Sequence, residues 1–235
     1  MSEFFLELFS EEIPAGLQQN ARKTLLESFH KLFSEKKIVF KKSTSFSTPN
    51  RLVILFEGLS KEVIQKEEEI RGPIISAPEK ALEGFIRSNK IEKKDLFKKK
   101  IEKGEFYFYI KSSKKTNTIN LLQEQTPIIL ENLQWKKSMK WGNYSLNWAR
   151  PLKSILGIFD GKNLNFKFHH LSSSNTTFVD KEFEDKKKNF KNFKNYEKFF
   201  SHSGIIINQS LRKEFIIKQF ERISQKKNFT IAANK

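Results

Sequence analysis

Apolar residues along this 235-residue chain recur at two different spacings, and each change of spacing marks an element. Residues 4–9 (Phe-Phe-Leu-Glu-Leu-Phe) are mostly apolar with acids interspersed, the signature of a strand. Pro14 suits the first turn of a helix, where its missing N–H leaves no bond unmade. Leu17, Ala21, Leu25, Phe29, Leu32 and Phe33 then recur every three or four residues and predict a helix with one apolar stripe over 17–33. Residues 38–46 and 51–56 read as strands broken at Thr48-Pro49-Asn50. The second is almost continuously apolar, as expected of a strand covered on both faces.

Residues 62–71 predict a polar, exposed strand ended by Gly72-Pro73. Ser76 and Glu79 have capping-box spacing with Pro78 in the first turn, so a helix should run to about Ser88 and bury Ala81, Leu82 and Phe85. Residues 105–111 alternate as a strand, with Phe106, Phe108 and Ile110 on one side and Tyr107 and Tyr109 on the other. A helix is expected over 119–133, either kinked at Pro127 or shortened, with Thr126 as its cap. Asp160-Gly161 predicts a hairpin joining 155–159 to the alternating Leu164, Phe166 and Phe168. Residues 177–195 are lysine-rich and poor in aliphatics, and read as a loose excursion. A helix over 195–202 should end at Gly204, followed by a short strand at 205–207. The last helix spans about 211–227 with Leu211, Phe215, Ile216, Phe220 and Ile223 inward.

Strands and helices interleave without a strict βαβ rhythm, so the expected fold class is α+β, with mixed or antiparallel sheets and packed helices. The expected organisation is an N-terminal α+β domain over 1–175, a loose lysine-rich segment over 176–194, and the start of a mainly helical region over 195–235.

Composition narrows the function classes. No apolar run approaches the roughly 20 residues of a membrane span, and acids at Glu3 and Glu7 stand where an export signal would carry cations. Cysteine is absent, which removes disulfides, thiolate metal sites and cysteine nucleophiles together. A cytoplasmic protein fits these features. The net charge of +17 favours a polyanionic partner. Lysine dominates that charge, and the joint excess of Lys, Phe, Asn and Ile is what AT-rich codons produce. The charge alone is therefore permissive evidence.

All three tryptophans, Trp135, Trp141 and Trp148, fall between residues 135 and 148, interleaved with Lys136, Lys137 and Lys140 and followed by Arg150. Rings and cations in alternation suit stacking on bases and pairing with phosphates. The same mixture also suits a core corner with lysines reaching outward. Both readings stand on local residues. In so lysine-rich a chain, Arg51, Arg71, Arg87 and Arg150 suggest a need for the planar fork, toward phosphate or toward a buried carboxylate. Catalytic machinery is not visible: no phosphate-binding glycine loop is present, and His169 and His170, being adjacent, point apart on a strand. Glu11-Glu12 before Pro14 reads as complementing a helix start.

Seven short motifs occur in order: Glu11-Glu12-Ile13-Pro14, Thr48-Pro49-Asn50-Arg51-Leu52, Arg71-Gly72-Pro73, Ala81-Leu82-Glu83-Gly84-Phe85-Ile86-Arg87-Ser88, Lys103-Gly104-Glu105, Lys137-Ser138-Met139-Lys140-Trp141-Gly142 and Arg150-Pro151-Leu152. Each is weak alone. Together, across nearly the whole chain, they resemble the N-terminal part of the β subunit of bacterial heterotetrameric glycyl-tRNA synthetase. Phe178-Val179-Asp180 stands where that family would have a Gly-His-Arg-Phe-like segment. The resemblance implies an α2β2 ligase that joins glycine to its tRNA at the expense of ATP. The α subunit would hold ATP and glycine, so this chain itself would carry no cofactor and no catalytic centre. The β subunit would bind tRNA and brace the α subunit. Candidate RNA contacts are Arg51, Arg71, Lys137, Lys140, Trp141 and Arg150. A purely architectural module without RNA contact is the rival reading. The end at residues 231–235, just beyond a helix, suits a chain that continues.

Overall fold

The computed structural model describes residues 2–65, 67–101, 104–179 and 187–230. In chain order the elements are β1 (Ser2–Ser10), α1 (Ala15–Glu35), β2 (Lys42–Thr48), β3 (Arg51–Leu59), β4 (Glu62–Gln65), β5 (Glu68–Ile74), α2 (Glu79–Asn89), β6 (Leu96–Ile101), β7 (Gly104–Lys111), β8 (Lys114–Asn117) and α3 (Thr118–Glu131). They continue with β9 (Leu152–Phe159), β10 (Lys162–Asn163), β11 (Lys167–Phe168), β12 (Leu171–Ser174), β13 (Thr176–Thr177), β14 (Lys188–Asn189), α4 (Phe193–His202) and α5 (Gln209–Lys227). The fold is α+β, as the interleaved patterns predict. It divides into one unit of residues 1–61 and 118–235, and a second of residues 62–117 inserted into it. The expected division at 175 therefore falls inside the first unit, because the segment after 175 packs onto the same sheet.

The first unit is built on a sheet in the order β11-β12-β9-β1-β3-β2, with β10 also on β9. Its pairings are antiparallel except β12 with β9, which is parallel. Strand β1 shows why the sheet needs two covers. Phe4 meets Phe29 and Phe33 of α1 at 5.2 and 6.4 Å between ring centroids. One residue on, Phe5 meets Phe193 and Tyr196 on the opposite face. Alternation along the strand thus feeds two cores. Helix α1 closes one, and the second gathers Phe5, Phe46, Val53, Leu55, Leu156 and Ile158 under Phe190, Phe193, Tyr196 and Phe200. The continuous apolar run of β3 follows from burial on both faces.

Several expectations need correction. Strand β2 begins at Lys42 rather than residue 38, after a turn that buries Ile38. The predicted 62–71 strand is two strands, and β5 runs through Gly72-Pro73 with a bulge between Arg71 and Ile74. Helix α2 has no side-chain cap, so the Ser76–Glu79 spacing makes no capping box; Leu82 is buried, Phe85 half-buried and Ala81 exposed. On β7, Ile110 faces solvent while Phe108 and Tyr109 are both buried. Helix α3 continues through Pro127, and Thr126 donates to Leu122 O at 2.6 Å inside the helix instead of capping it. The Asp160-Gly161 turn is present with both residues at positive φ, but the returning strand is limited to Lys162–Asn163, followed by one bond from Leu164 N to Gly157 O at 2.9 Å. Residues 205–207 form no strand.

The lysine-rich stretch is not loose where it is described. Thr176–Thr177 pairs with Lys188–Asn189, and Thr177 and Phe190 are buried; residues 180–186 lie outside the described residues. Helix α4 starts at Phe193, capped by Asn192, whose side chain accepts from Asn195 N at 2.9 Å. The largest departure is α5. None of its residues is buried, and Leu211, Phe215, Ile216, Phe220 and Ile223, expected inward, are about half exposed.

Candidate nucleic-acid interface

The tryptophan segment divides into a buried frame and an exposed loop. Trp148 is fully buried, edge-on to Trp135 at 5.1 Å and to Phe168 at 5.9 Å. Met139 N donates to Trp148 O at 2.7 Å and Trp148 N to Met139 O at 3.1 Å, a single antiparallel bridge that pinches off the residues between. That loop reverses at Gly142, whose φ of 53° suits a residue without Cβ. It brings Tyr144 onto His170, with ring centroids 3.6 Å apart and planes 12° from parallel. Trp141 stands edge-on to His170 at 6.0 Å and to Tyr144 at 6.4 Å. Tyr144 and His170 are exposed, Trp141 is half-buried, and Lys136, Lys137 and Lys140 are exposed on the same segment.

The neighbouring histidine fixes this arrangement. His169 takes positive φ and directs its ring to Glu131 Oε2 at 2.7 Å and Ser145 Oγ at 3.3 Å. The reversal leaves His170 free to stack on Tyr144. Exposed aromatic rings on a segment that also exposes three lysines bring together flat apolar faces and cations, the two requirements of single-stranded nucleic-acid binding. Among the described residues, no three His, Asp or Glu side chains gather as metal ligands.

The other candidates belong to other parts of the chain. Arg51 is a correction: its side chain is 3 % exposed and its Nε lies 3.3 Å from Glu7 Oε2. The guanidinium is held between the rings of Phe9 and Phe200, at 4.4 and 4.6 Å, and its Nη2 donates to the carbonyls of Phe178 and Val179. Its planar fork serves a buried carboxylate, so it is not an RNA contact. Arg71 belongs to the inserted unit, exposed with its guanidinium 5.1 Å from the Phe106 ring. Arg150 is half-buried and donates to Ala149 O at 2.8 Å. Of the candidates, only Lys140 and Trp141 lie in the loop between Met139 and Trp148, and Lys137 stands exposed just before it.

Glu7 was missed in sequence because it reads as one acid in an apolar strand. It is fully buried and accepts from Thr177 Oγ1 and Tyr196 OH besides pairing with Arg51. Burial raises its pKa more than Arg51 lowers it, and the Tyr196 hydroxyl is pushed well up by burial and by the Glu7 charge. Tyr144 and His170 were missed as well, since a stacking pair 26 residues apart leaves no local spacing signal.

Three of the short motifs meet at one end of the main sheet. Ile13 N donates to Pro49 O at 2.7 Å, Ser10 N to Asn50 O at 2.9 Å and Glu11 N to Pro151 O at 2.9 Å. Glu11 pairs with Lys153 at 2.7 Å, so it does not complement the start of α1. This convergence explains the motifs as one structural corner. A family model described as the glycyl-tRNA synthetase β subunit matches residues 4–235. The chain belongs to this family. Curated glycine–tRNA ligase β subunits from Rickettsia canadensis (strain McKiel) and Rickettsia prowazekii (strain Madrid E) are each 38 % identical over 216 residues, 92 % of this chain and 32 % of the relative. The one from Rickettsia bellii (strain OSU 85-389) is 38 % identical over 231 residues, 98 % of this chain and 35 % of the relative. The chain thus spans about a third of the length of the curated β subunits it matches. Among the described residues, no helix is long and apolar enough to cross a membrane.

Proposed function

We propose that this chain is the part of a glycine–tRNA ligase β subunit that helps hold tRNA and brace the α subunit. The assembled enzyme would be a cytoplasmic α2β2 tetramer, with ATP and glycine held by the α subunit. The observation that carries the RNA reading is the Tyr144–His170 stack with Trp141 at its edge, on a segment that also exposes Lys136, Lys137 and Lys140. An exposed stack of this kind offers a face to an unpaired base, and the lysines flank it for the backbone. The buried Trp148, edge-on to the half-buried Trp135, anchors one end of the loop. Arg71, on the inserted unit, is a further exposed cation for RNA.

The test is tRNA binding by the full-length protein at several salt concentrations. Replacing Lys137 and Lys140 with alanine should weaken binding and flatten its salt dependence by about 0.7–0.9 in log–log slope per lost phosphate contact. Unchanged affinity and slope in a variant with an unaltered melting temperature would reject the contact. The rival reading, in which the loop packs only on the α subunit, predicts unchanged RNA binding and weaker assembly with that subunit.

A further inference from the structure

Away from the aromatic loop, helix α1 and the outer edge strand β2 enclose a groove of about 670 Å³. Its polar lining includes Arg22, Lys23, Glu27, His30, Ser43 and Gln209. Gln209 opens α5 and stands in for a missing neighbour of β2: its Oε1 accepts from Ser47 N at 3.2 Å and its Nε2 donates to Ser45 O at 3.3 Å. This seats the first turn of α5 on the sheet edge and carries Arg212 to the same place. Arg22 Nη1 donates to the Ser47 hydroxyl at 2.9 Å, and Arg212 Nη2 donates to the Ser47 carbonyl at 2.9 Å. Two guanidinium groups from opposite ends of the chain therefore meet at one serine.

Charge there is unbalanced. Among the described residues neither arginine has a carboxylate partner, in contrast to Arg51 with Glu7; Arg212 is met by backbone carbonyls instead, its Nη1 donating to Ile206 O at 2.6 Å and Ile207 O at 3.4 Å. The one acid in the groove, Glu27, is 3.8 Å from Lys23. Partial burial lowers the proton affinity of both arginines, and the charge of Arg22 lowers that of Arg212 further. Holding like charges close together and partly out of water is unfavourable unless an anion accompanies them. The fork of Arg22, which lines the groove, suits the paired oxygens of a phosphate, and His30, which shares a 2.8 Å hydrogen bond with Ser43 Oγ, adds another polar group to the wall.

We propose that this groove is a phosphate subsite, with Arg22 as its anchor, Arg212 adding positive charge beside it, and Lys23, His30 and the β2 hydroxyls as its rim. The phosphate comes from an RNA backbone or from a free nucleotide. It extends the RNA-binding reading to a second place, yet its first test does not involve RNA.

Inorganic pyrophosphate is the probe, titrated calorimetrically into the full-length protein. Binding should be saturable, and Arg22→Gln with Arg212→Gln should weaken it at least ten-fold. In the unaltered protein, phenylglyoxal should modify both arginines, with pyrophosphate protecting them in peptide mass maps. The second measurement stands even if the double variant fails to fold. An RNA source predicts that tRNA also protects the two arginines and that the double variant weakens tRNA binding. A nucleotide source predicts protection by ATP, with tRNA binding unchanged. Absence of pyrophosphate binding, or binding without protection of these arginines, overturns the proposal. Loss of tRNA binding on changing the Trp141 loop would still stand in that case, so the two readings fail separately.

Discussion

Arg51 Nε lies 3.3 Å from Glu7 Oε2 with both side chains withdrawn from solvent, one from each of two paired strands. The pair ties the later chain to the sheet, because Glu7 also accepts from Thr177 and Tyr196, and Arg51 also donates to Phe178 and Val179. Removing one partner strands the other charge. Arg51→Ala should therefore destabilise the protein by roughly 3–5 kcal/mol, measured by denaturant unfolding. A loss under about 1 kcal/mol would mean that the carboxylate is already neutral or re-solvated.

The same carboxylate sets a pH dependence. Its pKa is raised in the folded state, chiefly by burial. The folded chain then binds the Glu7 proton more tightly than the unfolded chain does. Its stabilising contribution is complete below the unfolded value of 4.5 and is lost as pH rises toward and through the folded pKa. Glu3, also raised mainly by burial, acts in the same direction. Unfolding free energies of the parent and Glu7→Gln across this range should diverge in slope, with the parent falling more steeply as pH rises. Parallel profiles would show that Glu7 does not titrate in this way.

The two ends of the aromatic segment should respond differently to truncation. Trp148→Ala removes a fully buried indole and should cost about 3–5 kcal/mol of stability. Trp141→Ala, at the rim of the exposed stack, should cost about 1 kcal/mol or less by thermal or denaturant melts. It should instead weaken RNA binding by about 1–3 kcal/mol, the range for one stacked base. Equal stability losses at both positions would place Trp141 in the core.

In the inserted unit, Gly72 lies under the ring of Phe85. A Cβ at Gly72 would sit 2.8 Å from Phe85 Cε1, so the ring must move. Gly72→Ala should destabilise this unit by about 1–3 kcal/mol. Phe85→Leu in the same background should recover part of the loss, read by hydrogen exchange of the β5–β7 amides. No recovery would show that the Phe85 ring is not what opposes the added methyl group.

How much of this was legible beforehand varied with the range of the interaction involved. The stripe Ala21-Leu25-Phe29-Leu32-Phe33 and the run of β3 were readable because burial on one or two faces imposes a local period. The apolar spacing of α5 was read the same way and gave the wrong side, since period shows where apolar groups lie and not whether anything covers them. Arg51 was correctly suspected of needing a planar fork, but sequence could not choose phosphate over carboxylate. The aromatic loop was recognised by composition, while its division into core and platform was not.

By itself, the sequence determined the α+β class, the main helices and strands, and membership in the β-subunit family, because periodicity and ordered motifs are properties of neighbouring residues. Tertiary structure alone decided that Arg51 turns inward, that Trp148 is buried while Tyr144 stacks outside on His170, and that Arg22 and Arg212 meet at Ser47. Those outcomes depend on which distant side chains share a burial environment. Desolvation and pairing act through space, and no local spacing encodes them.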